Sequence, residues 1–208
     1  SFGSVWPRNG VARFEPKLIE KDCPDDDKVV RTMTAYSKPQ SSTGPDDPEH
    51  KALLKHKFPF KARIERAECR GITFEQLELI FEFARDHCHL WHERSQFSAA
   101  CGQPLDIKTI NLYSMNDWVI RPATEKTDDR EDCAFAELLA EAEQEPKWFI
   151  SHWWGEAIEA FKECVKVHLQ HRVAGRRVDN QGVEELTPED KRVVFWICAY
   201  ANRQHSLQ

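Results

Sequence analysis

An α/β fold is predicted for this chain of 208 residues: a parallel β-α-β unit, its sheet incomplete, packed with a helical layer. Three observations predict it. The stretch Pro146-Lys-Trp-Phe-Ile-Ser-His-Trp-Trp-Gly-Glu156 passes from a short apolar segment through a polar-aromatic turn into an amphipathic helix, which is how a βα unit opens. Residues 193–200 are apolar without alternation, as expected of a strand covered on both faces of a parallel sheet. Finally, Phe74, Leu77, Ile80, Phe81, Ala84, Cys88 and Trp91 recur at spacings of three and four, the stripe of a buried helix.

The elements follow in order. Residues 1–36 carry two β-prone runs, 11–19 and 29–36, around the turn signal Lys21-Asp-Cys-Pro-Asp-Asp-Asp27, and predict a hairpin. Residues 37–48 are a linker by composition, with three Pro, one Gly and almost nothing apolar. The chain therefore divides into an N-terminal arm and linker (1–50), a helix-rich segment (51–145) and the β-α-β unit (146–208). A first helix is expected at about 49–56. Thr73 and Gln76 form a capping-box pattern that should start a helix over 74–93. Residues 107–113 alternate and predict a short strand, and 117–122 an extended stretch closed by Pro122. The acidic cluster Asp128, Asp129, Glu131 and Asp132 suits a helix N-terminus, where the peptide dipoles favour carboxylates. That helix would bury Phe135, Leu138, Leu139 and Ala142 and stop at Pro146.

In the last segment, residues 148–150 predict a strand and 156–171 a helix with Ile158, Phe161, Val165 and Leu169 inward. Thr187-Pro188 is a cap and first-turn pair. A right-handed β-α-β crossover would then span 147–200. Two parallel strands alone leave both sheet edges open, an aggregation hazard. Either other strands of this chain, such as 107–113, complete the sheet, or the natural chain continues past Gln208; the second is the expectation, with residues 193–208 beside a neighbouring molecule or poorly ordered.

Composition narrows the function. The net charge is -6, with 29 basic and 35 acidic residues intermixed. That balance lacks the basic footprint of a nucleic-acid binder. The longest apolar run, 193–201, is far short of the ~18 residues of a membrane helix, so no transmembrane segment is expected. Seven cysteines without a C-x-x-C pair point to buried thiols in a reducing compartment rather than to disulfides, so an intracellular setting is expected, the cytoplasm or an organelle.

Four blocks carry a resemblance: Thr109-Ile-Asn-Leu-Tyr113, Asp117-Trp-Val-Ile-Arg-Pro-Ala-Thr124, Phe149-Ile-Ser-His-Trp-Trp-Gly-Glu156 and Trp196-Ile-Cys-Ala-Tyr-Ala-Asn-Arg-Gln-His205. They resemble an uncharacterised family of proteins from unicellular algae and other protists, over about residues 60–208. More distantly, the first strand and helix with the later aromatic strand look like the opening half of a TIR-like, Rossmannoid domain. That resemblance implies further βα units after Asn202–His205. The glutamate of TIR-type NAD hydrolases belongs to that later half, so no catalytic residue carries over, and Glu156 stands in the wrong place for it.

Candidate chemistry centres on the turn after the first predicted strand, because ligands of parallel sheets bind at strand carboxyl ends. A pocket would be formed by Ser151, His152, Trp153, Trp154, Gly155 and Glu156, with Asn202 and His205 from the end of the next strand. Ser151 and His152 would supply hydrogen bonds, a tryptophan would stack on a ring, and Gly155 would let a ligand approach the backbone. Glu156 at the helix N-terminus competes with an anion for the free amides, so a neutral or hydroxyl-bearing group such as ribose fits better than phosphate. The competing reading is packing tryptophans and a turn histidine. Cys88 or His89 could share a helix face with His92 as a pair of metal candidates, but zinc usually takes four ligands and the best further one, Cys69, has no paired neighbour, so no metal is expected. Arg172, Arg176, Arg177, Lys191 and Arg192 form the one basic concentration, a solvated loop or a dock for an acidic partner. The function expected is a protein-interaction or assembly module with a protein partner and no required cofactor. The alternative is a nucleotide- or NAD-processing enzyme whose catalytic half lies outside this sequence.

Overall fold

The computed structural model describes residues 44–95, 98, 100–173 and 185–207. The predicted hairpin of 1–36, most of the 37–48 linker, and Arg176 and Arg177 lie outside these residues. Helix α1 (Pro48–Lys57) starts where Asp47 accepts a hydrogen bond from the Glu49 amide, with Pro48 in the first turn. Strand β1 (Ile72–Thr73) leads directly into helix α2 (Phe74–His87). The Thr73 hydroxyl accepts from the Gln76 amide while the Gln76 side chain accepts from the Thr73 amide, closing the expected capping box. The helix ends earlier than its apolar stripe suggests. From Cys88 to Leu90 the chain tightens into a 3₁₀ turn, and Trp91 stays buried from an extended position.

Residues 107–113, predicted as a strand, instead form a turn and the start of helix α3 (Leu112–Met115). The reason is local. Asp106 accepts from the Lys108 amide at 2.8 Å, and its carbonyl accepts from Thr109 and Ile110 at 2.9 Å. Asn111 then caps the next turn by accepting from Tyr113 and Ser114. Asp and Asn side chains that bond the backbone outcompete a ladder of strand hydrogen bonds. Residues 117–122 are not extended either. A π-helical turn (Asn116–Ile120) runs into helix α4 (Arg121–Thr124), where Pro122 sits in the first turn and interrupts nothing.

The acidic cluster likewise starts no helix. Asp129 accepts from the Thr127 hydroxyl at 2.7 Å in a tight turn bridging Thr127 and Arg130. Helix α5 is the single turn Ala136–Leu139, and Ala140 is already extended, so Pro146 does not stop it and Ala142 is exposed. What fixes this segment is Glu137, wholly buried. One of its carboxylate oxygens accepts from the Ile64 amide at 2.7 Å and from Arg203 at 3.3 Å, the other from the Ala134 amide at 2.6 Å.

Strand β2 (Trp148–Ile150) is followed by helix α6 (Ile158–His168), a π turn (Leu169–Val173), helix α7 (Pro188–Lys191), strand β3 (Val194–Ile197) and helix α8 (Cys198–Ala201). The strand order is β1-β3-β2, with β2 parallel to β3 in the register Trp148↔Phe195 and β1 antiparallel to it. The fold is thus a mixed α/β arrangement around a small three-stranded sheet. The predicted open edge at 193–208 is corrected: β3 is the central strand, flanked on both sides within the chain. Its apolar run is shorter than expected, because the chain turns into α8 at Cys198. Burial along β3 alternates, with Phe195 and Ile197 inward. The sheet is therefore covered fully on one face, not on both.

A continuous core unites α1, α2, α6 and the sheet. Phe74, Leu77, Ile80, Phe81 and Ala84 of α2 and Ile158, Phe161 and Val165 of α6 are buried, and the rings of Phe81 and Phe161 meet edge to face at 6.4 Å. Burying side chains of this size contributes roughly 1.5–3 kcal/mol each. Among the cysteines, Cys69, Cys88 and Cys133 are buried free thiols, Cys198 is half-buried, and Cys101 and Cys164 are exposed. Burial pushes the Cys133 thiol up to about 11. Among the described residues, no helix is long and apolar enough to cross a membrane.

Candidate functional site

The turn after β2 takes shape from two anchors. The Glu156 amide donates to the Trp153 carbonyl at 3.1 Å and closes it. A short antiparallel bridge at Asn111↔Ala157 then ties it to the start of α3, through Leu112 N to Trp154 O and Ile158 N to Ile110 O, both 3.0 Å. Trp154 packs beside Tyr113 with ring centroids 5.5 Å apart. Gly155 lies under the Trp153 ring: a Cβ there would come within 2.3 Å of the indole and push it aside. The Trp153 ring is otherwise 72 % exposed, and Ser151 is exposed as well.

His152 lies flat against Phe161, centroids 4.1 Å apart and rings 21° from parallel. Neither of its ring nitrogens has a hydrogen-bond partner among the described residues. Burial lowers its proton affinity below that of an ordinary histidine, opposed by the nearby Glu156 carboxylate. It is a packed ring, not one poised against a nucleophile.

The other predicted pocket residues sit elsewhere. His205 Nε2 lies 3.0 Å from the Arg121 carbonyl and lines a cavity with Arg94, Asp117 and Arg121 that none of residues 151–156 lines. Asn202 is half-buried, its amide donating to the Cys198 carbonyl at the end of α8. The metal candidates do not converge: Cys88 is buried, His89 is exposed and the His92 ring meets Trp118 edge-on at 5.1 Å. Among the described residues, no group of three or more His, Cys, Asp or Glu is placed to hold a metal ion. Of the basic concentration, Lys191 is taken up by Glu78 at 2.9 Å.

Two surfaces instead stand out. The first is the outer face of the sheet. Phe149 of β2 and Trp196 of β3 stack across the strands at 4.7 Å and 14°, and Phe149 remains 69 % exposed. Trp153 adjoins it in sequence, and the outer edge of β2 has no neighbouring strand among the described residues. The second is a polar cleft built on the π turn, in two lobes of about 420 and 620 Å³ that share Arg94 and Asp117. Asp117, half-buried, has its carboxyl held above the usual carboxylate range by desolvation, with Arg94 and Arg121 opposing.

The sequence reading missed this cleft because its residues come from a segment read as strand and extended chain. The conversion of 116–120 into a π turn, a geometry frequent at functional sites, is what brings Asp117 and Arg121 to one cavity. The signal that was available lay in the polar residues interrupting the alternation, Asn111, Ser114, Asn116 and Asp117. Comparison with protein-family models, curated proteins and solved structures finds no match to this chain.

Proposed function

We propose that this chain is a protein-interaction module with an α/β core, TIR-like in its β2–α6–β3 arrangement, that receives an extended segment of a partner protein along the outer edge of β2. The observation that carries the reading is the uncovered aromatic pair, Phe149 stacked on Trp196, next to a strand edge without a neighbouring strand among the described residues. Open edges pair with added strands, and exposed aromatic side chains give such pairing its specificity. Glu141 and Glu145 stand exposed on the approach to β2, with side chains 86 % and 82 % accessible, and only loosely engaged at 3.8 Å from Lys61 and 3.9 Å from Arg66. The partner segment would therefore carry apolar residues at alternate positions and basic residues beside these glutamates.

Selection from a displayed peptide library tests this. Alternating apolar peptides with flanking Lys or Arg are expected, and their binding should fall at least tenfold in Phe149→Ser while Leu90→Ser, an exposed apolar site on another surface, binds normally. Failure to select any such peptide, or equal binding by both variants, overturns the reading.

The alternative, a nucleotide-processing domain, is favoured by a separate observation. The polar two-lobed cleft at Asp117 supports it, whereas the turn 151–156 supplies no cavity of its own among those described here.

A further inference from the structure

The cleft at the π turn has an unusual charge arrangement. Arg94, Asp117 and Arg121 face one lobe, close enough that both guanidiniums act on the Asp117 carboxyl. Yet among the described residues none of the three side-chain charged groups makes a hydrogen bond or an ion pair. Charged groups gathered around a concave surface without partners are a common property of ligand sites, because structural charges usually pair with each other. The two other acids lining this lobe do pair: Lys51 lies 3.3 Å from Asp46 and 2.5 Å from Glu125 and offsets part of their charge. His205 is held by the Arg121 carbonyl and completes that lobe. The second lobe adds Asn111, Ser114 and Asn116, with the buried Asn116 Oδ1 lacking a partner among the described residues, and the exposed ring of Tyr113.

We infer that this cleft binds a small phosphorylated sugar, its phosphate on the Arg94 and Arg121 guanidiniums and a sugar hydroxyl donating to Asp117. The guanidinium fork matches phosphate oxygens in pairs, which a lone ammonium does not. A carboxylate beside a phosphate site is the group that recognises a sugar diol, since hydroxyls donate and phosphates do not. The amide and hydroxyl groups of the second lobe suit the remaining sugar hydroxyls. Tyr113 offers a flat surface for a ring attached to the sugar, so a free sugar phosphate and a nucleoside monophosphate share the chemistry. The inference rests on the cleft reading but requires binding only, not turnover.

The test is a ³¹P NMR titration of the chain with ribose 5-phosphate, inorganic phosphate and a nucleoside 5′-monophosphate. Saturable binding of ribose 5-phosphate at least tenfold tighter than inorganic phosphate is expected. Arg94→Gln and Arg121→Gln should each weaken it at least tenfold, and Asp117→Asn should erase the preference over inorganic phosphate. Tighter binding of the nucleoside monophosphate, lost in Tyr113→Ala, assigns the second lobe to its base; equal binding assigns the free sugar phosphate. Arg94 is exposed, so its variant should keep the wild-type circular dichroism and melting curve. Absence of saturable binding, or unchanged binding in both arginine variants, overturns the inference. Binding without conversion of the bound phosphate leaves it standing and removes only the processing alternative.

Discussion

Residues 148–168 and residues 106–140 differ in what determines them. In the first, each element follows from its own residues: β2 from a short aromatic run, α6 from a stripe of Ile158, Phe161 and Val165 that finds the core. In the second, alternation at 107–113 and proline at 122 point to extended chain, and both are overruled. Asp106 and Asn111 redirect the backbone by bonding it, and Glu137 gathers amides from residues far apart in the chain. The lesson is that polar side chains, rather than apolar period, write the second region, and that region is the one that carries the cleft.

Three changes sharpen or break this contrast. The largest effect is expected from Glu137→Ala, which strands the Ile64 and Ala134 amides and the Arg203 guanidinium in the interior. A loss of about 3–5 kcal/mol in urea unfolding is expected, as when one partner of a buried polar network is removed. A loss under about 1 kcal/mol would mean that the segment is held by its apolar contacts instead. Next, Asn111→Ala removes the acceptor for the Tyr113 and Ser114 amides and should cost about 1 kcal/mol. An unchanged midpoint would show that α3 forms without its cap.

The smallest effect concerns pH. Burial depresses the His152 proton affinity below the ordinary value of 6.5, so the unfolded chain takes up its proton first. The His152 contribution to stability is complete above about pH 6.5 and is lost as pH falls through the lower folded value. The urea midpoint should drop between about pH 7.5 and 5.5, and drop less in His152→Phe, which keeps the stack on Phe161. Identical pH profiles would place the ionisation at other residues. His50 and His168 are shifted in the same direction and supply the remainder.

Much of the scaffold was legible in the sequence. The Thr73–Gln76 box, the α2 and α6 stripes and the aromatic run of β2 are local patterns, and local patterns survive folding when tertiary contacts agree with them. The site was legible only in fragments. Ser151, His152 and Trp153 were singled out for standing at a strand end, yet Trp153 covers Gly155 and His152 packs on Phe161. His205 was grouped with residues 151–156 but lies instead at the Arg121 carbonyl, a pairing 84 residues long that no periodicity encodes. Arg94, Asp117 and Arg121 meet through a π turn, and a π turn leaves no regular spacing in the residues that form it.

The central place of β3 has a consequence for how the molecule comes together. Both other strands pair only with residues 194–197, which are made more than a hundred residues after β1 and over forty after β2. Until they emerge, Trp148 and Phe149 have no strand to lie against, and closing those distant pairings is the slow kind of step in folding. The sheet therefore cannot close until residues 194–197 have been made, long after β1 and β2.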